Sequence, residues 1–264
     1  MTLRSEIKPA LSATAQSGAN LQTDFRIIAE THDYLVVDKP AFLLVHPSKP
    51  TNAPTLWGEL QKLLAFELAN GGQVSLVNRL DRETSGLVLV AKTAETARRF
   101  GLLMQEQRIA KEYLAIVSGH PQWDEKLIEG PLVRQGVHAP SAIWLKQAVH
   151  PAGAPAVTSF QVLRRFERET TAGKKFSIVR AVPLTGRTHQ IRVHLAATGH
   201  SIVGDKIYGP NEQHYLRFIK TGWTPELQRQ LLLPRHALHA SRLAINDVGE
   251  WESPLPADLA AFTR

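Results

Sequence analysis

The pattern of apolar and polar positions predicts a strand-rich chain with helices inserted at irregular intervals. Apolar runs at 25–28 and 34–40 flank a polar turn at His32 and Asp33, which predicts two neighbouring strands. The unbroken apolar run at 86–91 is typical of a strand buried on both faces. Further strands are predicted at 112–117, 159–166, 176–182 and 238–245, and the last of these is expected to be the final strand of the chain.

Three longer helices are predicted between the strands. Leucines at helical spacing predict the first over 56–68. Thr93 is placed to cap a second helix that runs to about Gln107. The third is expected to begin near Thr188 and to end at Gly199, because glycine adopts the left-handed backbone of a helix end at little cost.

The order of these elements predicts the fold class. Strands and helices do not alternate regularly, which favours an α+β protein with a mixed, mainly antiparallel central sheet flanked by helices and loops. Two short helical segments are expected before the strand at 238–245. Segment 119–140 carries no clear pattern and is expected to be a loop, the one plausible hinge of the chain.

Composition narrows the kind of protein. With 43% hydrophobic and 21% charged residues, the 264-residue chain has the composition of a globular protein. It contains no cysteine, which excludes disulfides, cysteine-ligated metals and thiol nucleophiles, and we expect a cytoplasmic protein. No apolar run approaches the roughly 18–20 residues of a membrane span, so no membrane partner is expected.

The net charge of +7 has two interpretations. A basic protein can simply have a solvated basic surface, or its Lys and Arg side chains can bind the phosphates of a nucleic acid. Many basic residues lie between positions 79 and 192, inside predicted folded segments, which favours a basic surface over a basic tail. Residues 1–23 are polar, lack the apolar core of a secretory signal and are expected to form a disordered leader.

One carboxylate stands between two arginines in the stretch Asn78-Arg-Leu-Asp-Arg-Glu-Thr-Ser-Gly86, directly before a buried strand. Opposite charges a few ångströms away lower the pKa of an aspartate and keep it ionised, as a nucleophile or a base requires. Asp81 is therefore a candidate catalytic residue. The alternative is a surface turn with exposed ion pairs that contribute little.

A second polar stretch, Leu184-Thr-Gly-Arg-Thr-His-Gln-Ile-Arg-Val-His-Leu195, leads from a glycine turn into a helix. Free backbone N–H groups and arginines at a helix start are suited to binding an anion. The alternative is an ordinary polar helix start, with His194 as a core histidine. Gly199–Lys206 has the glycine spacing of a phosphate-binding loop but lacks its Lys-Ser/Thr ending. The pairs His189/His194 and His236/His239 do not match a His-Glu-x-x-His motif and no cysteine is available, so no metal site is expected.

Taken together, these stretches resemble the RluA-type pseudouridine synthases. The matching blocks follow in the order of that family and cover most of the chain from Phe25 to Phe262. They lie at 36–40 with 45–47, 78–92, 111–119, 186–195 with 204–209, and 238–240. The resemblance implies the pseudouridine synthase fold over 24–264, and an isomerase that needs no cofactor and converts uridine to pseudouridine in structured ribosomal or transfer RNA.

The resemblance also implies roles for individual residues. Asp81 aligns with the essential aspartate, acting covalently or as a base, and Arg192 with the arginine that pairs with it. Tyr113 aligns with the active-site tyrosine, whose expected task is stacking on the flipped uracil. Arg79 is expected to fill the space left by the extruded base, and Leu238 to form an apolar wall. Arg187 and Lys146 are further candidates for phosphate contacts.

The sequence departs from the family at one position of the main motif, where Asn78 replaces the usual His; we expect an effect on local packing or substrate fit only. The family often has an N-terminal S4 RNA-binding domain, and about two dozen polar residues before Phe25 are too few for one, so salt-dependent RNA binding by a monomeric catalytic domain is expected. Two other functions stay open. One is an RNA-binding module without catalysis, and the other is a glycosidic hydrolase with Asp81 and Asp205 as its carboxylate pair.

Overall fold

A computed structural model describes residues 24–47 and 53–264 of the chain, so the predicted leader lies outside the described residues. The strands are β1 (Arg26–Glu30), β2 (Tyr34–Lys39), β3 (Ser75–Leu76), β4 (Ser85–Ala91), β5 (Ile109–Ser118), β6 (Glu125–Glu129), β7 (Leu132–Arg134), β8 (Gln147–Val149), β9 (Val157–Thr170), β10 (Gly173–Pro183), β11 (Leu238–Ile245) and β12 (Gly249–Glu252). The helices are α1 (Leu56–Leu63), α2 (Ala65–Ala69), α3 (Ala94–Gln105), α4 (Gln135–His138), α5 (Gln190–Ala197), α6 (Gln213–Thr221), α7 (Pro225–Leu231) and α8 (Ala257–Phe262).

One large sheet runs through the molecule and confirms the predicted α+β class. Its strand order is β1-β2-β4-β11-β5-β10-β9-β6, with β3 paired to β4 and β12 paired to β11. Among these described strands, only β4 and β11 pair in parallel; every other neighbouring pair is antiparallel. The small second sheet consists of β7 and β8.

The central strands are buried on both faces because their side chains alternate between two apolar clusters. On β4, Val88 and Val90 belong to one cluster, whereas Leu87 and Leu89 belong to the other, on the opposite face. The second cluster includes Phe100 of α3, so that helix covers the face to which Leu87 and Leu89 point. This two-sided burial explains why the run at 86–91 is apolar throughout, as predicted.

The parallel junction of β4 and β11 requires a glycine. Gly86 has φ +114°, and a Cβ atom there would lie 2.2 Å from the carbonyl oxygen of Ala240. Because no larger residue fits this approach, Gly86 fixes how closely β11 lies against the start of β4. That junction directly follows the loop that carries Asp81.

Several expected elements differ in the structure. The helix expected over 56–68 is two helices, because the backbone leaves helical angles at Leu64, whose side chain is buried while that of Phe66 is exposed. Segment 119–140 is not a loop, since it contains β6, β7 and α4. β6 is a mostly exposed edge strand without apolar alternation, and it is recognised only through its hydrogen-bonded pairing with β9.

The end of the chain also differs from the expectation. The strand at 238–245 is β11, within the predicted bounds, but it is not the final strand. A turn with Asp247 at φ 61° leads into β12, and α8 follows. Over the described part of the chain, no helix has the length and apolarity needed to cross a membrane.

Candidate active site

The two polar stretches singled out by the sequence meet at one cleft. This cleft, of about 330 Å³, is formed by the 77–84 loop, strand β5, the 183–189 turn, the start of α5 and the start of β11. Six of the seven predicted site residues line it: Asp81, Tyr113, Arg192, Arg79, Arg187 and Leu238.

Arg192 holds the centre of the cleft between two carboxylates. Its Nη1 atom donates to Asp81 Oδ2 at 2.8 Å, while Nε and Nη2 donate to the two carboxylate oxygens of Asp205 at 2.7 and 2.9 Å. The Arg192 side chain is 5% exposed and that of Asp205 is fully buried, whereas 31% of the Asp81 side chain remains exposed. One carboxylate therefore anchors the arginine and the other faces the cleft.

Asp205 is committed to this anchoring role. Its Oδ1 atom also accepts hydrogen bonds from the backbone N–H groups of Ile207 and Tyr208 at 2.9 and 3.0 Å. Burial alone would raise the pKa of Asp205, but the guanidinium of Arg192 and these hydrogen bonds outweigh burial and lower the pKa well below its usual range. Asp205 is thus a permanent anion beneath the arginine.

Asp81 is ionised as expected, and Arg192, the partner that the resemblance implied, is one of the causes. Burial would raise its pKa; His189, which is protonated at the acid pH where Asp81 titrates, and Arg192 outweigh that effect and lower the pKa to about 2. The arginines next to Asp81 in sequence are not this source, and both are exposed. In the turn after Asp81 the chain directs Arg82 away from the cleft, where its Nε atom donates to the carbonyl of Phe42 at 3.2 Å.

Asn78 and Thr84 hold the two ends of the Asp81 loop. Asn78 is buried; its Nδ2 donates to the carbonyl of Leu87 at 3.1 Å and its Oδ1 accepts from the N–H of Leu89 at 2.8 Å. At the other end, the hydroxyl of Thr84 is hydrogen-bonded to His236 Nε2 at 2.7 Å. The side chain that departs from the family motif therefore ties the loop to β4.

Tyr113 and Leu238 form apolar walls of the cleft and are 8% and 4% exposed. They come from adjacent strands, since β5 and β11 pair in this region, with Tyr113 opposite Ala240. Burial, and next the negative charge of Asp81, raise the pKa of Tyr113, so its phenol stays protonated. This direction disfavours a role as a base and agrees with the expectation of stacking.

The turn before α5 differs in detail from the prediction. The helix begins at Gln190, because His189 adopts a left-handed conformation with φ 58°. The Gln190 side chain holds the turn: its Oε1 accepts from the Thr185 hydroxyl and from the Arg187 backbone N–H at 2.7 and 3.0 Å. His194 is fully buried and bonded to Thr158 Oγ1, which confirms the alternative of a core histidine.

The three remaining basic candidates are placed differently. Arg79 and Arg187 are exposed at the cleft, and Arg187 Nε donates to the carbonyl of Pro155 at 3.0 Å. Lys146 lines a separate groove, where its Nζ atom pairs with Glu212 at 2.5 Å. The structure therefore does not bring Lys146 to the cleft, and its charge is already partly compensated.

Sequence reasoning assigned no role to His189, which lines the cleft, or to Tyr208, which contacts His189 and lines the neighbouring groove with Lys146. His189 lines the cleft with its Nε2 atom 3.8 Å from Asp81 Oδ2, and its Nδ1 is 2.8 Å from the Tyr208 hydroxyl. Both lie in blocks that match the family, at 186–195 and 204–209, but only the folded structure shows that they are in contact. No group of three or more His, Asp or Glu side chains in the described ranges is placed to hold a metal ion.

Comparison with known proteins assigns the family. A family model described as RNA pseudouridylate synthase matches residues 33–197, which include Asp81, Tyr113 and Arg192. The chain belongs to the RNA pseudouridylate synthase family. Among curated members, it is 34% identical over 245 residues to the ribosomal large subunit pseudouridine synthase D of Nitrosomonas europaea, and 35% identical over 240 residues to that of Pseudomonas aeruginosa.

These alignments cover 90% and 89% of the chain but 64% and 69% of the two relatives, so the chain spans about two thirds of their length. Among solved structures of the family, human RNA pseudouridylate synthase domain containing 1 superimposes with a TM-score of 0.64 at 27% identity, covering 91% of this chain and 86% of the human one. Domain containing 4 has a TM-score of 0.67 at 23% identity, covering 89% and 90%, and shares the fold.

Proposed function

We propose that this protein is an RNA pseudouridine synthase that isomerises uridine in structured RNA, with Asp81 as the catalytic residue and without a cofactor. Family membership gives the class of reaction, and the names of the curated relatives point to large-subunit ribosomal RNA over transfer RNA. The observation that carries the proposal is the ionised Asp81 in an open cleft, backed by a buried arginine that is itself anchored by Asp205.

Asp81 acts on the target nucleotide, either by covalent attack or as a base at the sugar. In both cases the carboxylate has to be ionised and aimed into the cleft. Arg192 meets both requirements, because a guanidinium cannot be deprotonated and its fork fixes the direction of the carboxylate. Its positive charge also stays close to the carboxylate while charge moves in the reaction.

The target base reaches Asp81 only outside a helical stem. We propose that the uridine is flipped into the cleft, at a cost of a few kcal/mol that contacts to the RNA backbone offset. Tyr113 stacks on the uracil and Leu238 packs against it, while Arg79 occupies the space that the base leaves. The apolar walls and exposed arginine found at the cleft suit these tasks.

RNA binding is assigned to the basic surface around the cleft. Arg187 projects at its rim and is a candidate phosphate contact, in keeping with the net charge of +7. Lys146 is a weaker candidate than the sequence suggested, because Glu212 already accepts its hydrogen bond. A monomeric, cytoplasmic enzyme remains our expectation.

The glycosidic hydrolase is disfavoured by the position of Asp205. A carboxylate-pair hydrolase needs a general acid that reaches the substrate with a proton. Asp205 is fully buried, gives both oxygens to Arg192 and has a lowered pKa, so it has no proton to donate. A module without catalysis is disfavoured as well, because Asp81, Tyr113 and Arg192 all line the cleft.

Tritium release tests the proposal directly. RNA labelled at uracil carbon 5 loses tritium when the new carbon–carbon glycosidic bond forms, while the mass of unlabelled RNA stays unchanged. The wild-type protein should release tritium from RNA of a host lacking this modification, and Asp81→Asn should not, although it still binds the RNA. Tritium release by Asp81→Asn, or a free base in the product, would contradict the assignment.

A further inference from the structure

His189 is held in an unusual conformation at the edge of the cleft. Its backbone is left-handed, with φ 58° and ψ 15°, in the residue before α5. A side chain with a Cβ atom adopts this region at a cost, and such residues persist where the surrounding structure fixes them. Here the Gln190 side chain fixes the turn, and the His189 imidazole lies beside Asp81 with 9% of its side chain exposed.

The contacts of Tyr208 determine which imidazole nitrogen carries the proton. The Tyr208 oxygen accepts a hydrogen bond from the backbone N–H of Gln147 at 2.8 Å. A backbone N–H is only a donor, so the phenolic proton cannot point to it. The other polar contact of this oxygen within the described chain is His189 Nδ1 at 2.8 Å, and the phenol therefore donates its proton there.

This assignment leaves the proton of a neutral His189 on Nε2, the atom that faces Asp81 Oδ2 across 3.8 Å. That distance is longer than a hydrogen bond, and such contacts at catalytic sites shorten when substrate fills the site. The Asp81 carboxylate thus has two donors around it, Arg192 Nη1 on one side and His189 Nε2 on the other.

We propose that His189 is a positioning residue for Asp81. The neutral imidazole of His189 donates through Nε2–H, because Tyr208 and the backbone N–H of Gln147 fix its tautomer. The inference rests on the proposed function for its catalytic consequence, but the tautomer itself is a property of the free protein. The inference also gives Tyr208 a role: its hydroxyl orients the His189 ring without touching the substrate.

The charges around the imidazole agree with a neutral ring. Burial, and next the positive charge of Arg192, lower the pKa of His189 to about 4, although Asp81 and Asp205 act in the opposite direction. At neutral pH the ring is therefore neutral and carries one proton, and the nitrogen that carries this proton decides whether the ring can donate to Asp81. The raised pKa of Tyr208, caused mainly by burial, keeps the phenol protonated and able to donate.

A pair of substitutions separates the two nitrogens of the ring. In His189→Gln the amide group reaches the position of Nε2 and keeps a donor towards Asp81, whereas in His189→Asn the shorter amide reaches only the position of Nδ1. We expect His189→Gln to keep kcat within about tenfold of wild type, and His189→Asn to lose about 10- to 100-fold in kcat, since a hydrogen bond to a charged group is lost. The KM for RNA should change little in either variant, because the donor contacts Asp81 and not the RNA backbone.

His32→Gln is the control, because the side chain of His32 is 92% exposed and lies outside the cleft. Equal kcat values for His189→Gln and His189→Asn would overturn the positioning role. So would a loss in His189→Asn that appears only as a raised KM.

Nuclear magnetic resonance of the free protein tests the tautomer without any RNA. With ¹⁵N-labelled histidine, His189 should carry its proton on Nε2, and its Nδ1 shift should show an accepted hydrogen bond that Tyr208→Phe abolishes. A proton on Nδ1 would overturn the inference. If no RNA is isomerised by the wild-type protein, the proposed function fails, and this spectrum still decides the tautomer.

Discussion

The Nζ atom of Lys39 donates a hydrogen bond to the carbonyl oxygen of Arg82 at 3.3 Å and so joins the end of β2 to the loop that carries Asp81. The same atom donates to the carbonyls of Pro40 and Leu43 at 2.7 and 2.9 Å, and the residue is fully buried. A lysine is thus enclosed by backbone carbonyls directly behind the loop that carries Asp81. Burial, followed by the charge of Arg235, lowers its pKa to about 7.

This lowered pKa predicts a stability change with pH. An unfolded lysine has a pKa of about 10.4, so between that value and pH 7 the unfolded chain holds a proton that folded Lys39 has released. Stability contributed by this group therefore rises with pH across that window. We therefore expect the unfolding free energy of the wild-type protein minus that of Lys39→Met to increase from pH 7 to pH 10, as measured by urea titration at several pH values.

Lys62→Met serves as the control, because Lys62 is 75% exposed on α1 and pairs with Glu59. Its difference from wild type should stay nearly constant over the same range. A flat difference for Lys39→Met would mean that Lys39 keeps its proton through the window, held by its three carbonyl partners.

Asn78 predicts a stability effect that depends on hydrogen bonding and not on size. Its amide supplies one donor and one acceptor to the β4 backbone. Asn78→Leu removes both and leaves two buried backbone groups unpaired, which should cost about 2–4 kcal/mol of unfolding free energy. Asn78→His should cost less than about 1 kcal/mol, because a neutral imidazole also offers one donor and one acceptor. Equal losses in the two variants, measured by chemical denaturation, would exclude this explanation.

The central strands and the edge strand β1 were predicted from the sequence, but the edge strand β6 was not. The run at 86–91 is apolar because both faces of β4 are buried, and such a run is recognisable without tertiary information. β6 lies at an edge and exposes most of its residues, so its sequence resembles that of a loop until β9 pairs with it. A buried strand needs apolar side chains and so has a recognisable sequence pattern, whereas backbone pairing alone places no such requirement on the sequence.

The sequence predicted most of the residues that line the cleft and the pairing of Arg192 with Asp81, but not the other interactions of the site. The resemblance assigned Asp81, Tyr113 and Arg192 to one site, and all three line the cleft. The sequence neighbours Arg79 and Arg82 were also expected to lower the pKa of Asp81, but a turn directs adjacent side chains apart, and residues about 110 positions away supply the charge. The pairing of Lys146 with Glu212, 66 positions later, was also missed, because the sequence around Lys146 does not indicate a partner so distant in the chain.

Arg192→Lys should separate charge from geometry at the centre of the site. A lysine keeps a positive charge but presents a single ammonium, which cannot bind both Asp205 oxygens and Asp81 at once. We expect a folded protein whose kcat is lower by about 100-fold, since the carboxylate loses its fixed direction.

The control is Arg242→Lys, at an arginine of β11 that pairs with Glu112 and Glu250 outside the cleft. It should retain nearly full kcat and change the unfolding free energy by less than about 1 kcal/mol. Wild-type kcat in Arg192→Lys would show that a positive charge near Asp81 suffices, and that the two-carboxylate arrangement is not needed for turnover.

RNA binding should weaken steeply with salt and should depend on Arg187 more than on Lys146. Each phosphate contact releases counterions, so loss of one contact reduces the slope of log K against log salt concentration by about 1. Arg187 is exposed at the cleft rim, and we expect Arg187→Gln to show this reduction. Lys146 is already paired with Glu212, so Lys146→Gln should change the slope by much less.

Binding of unmodified RNA to the Asp81→Asn protein, which we expect to be catalytically inactive, measured between about 50 and 200 mM salt, gives these slopes without turnover. Lys62→Gln on α1 is the matched control for a paired surface lysine away from the cleft, and its slope should equal that of Asp81→Asn alone. An affinity independent of salt would contradict binding through phosphate contacts, and a larger effect of Lys146→Gln than of Arg187→Gln would place the RNA across the Lys146 groove.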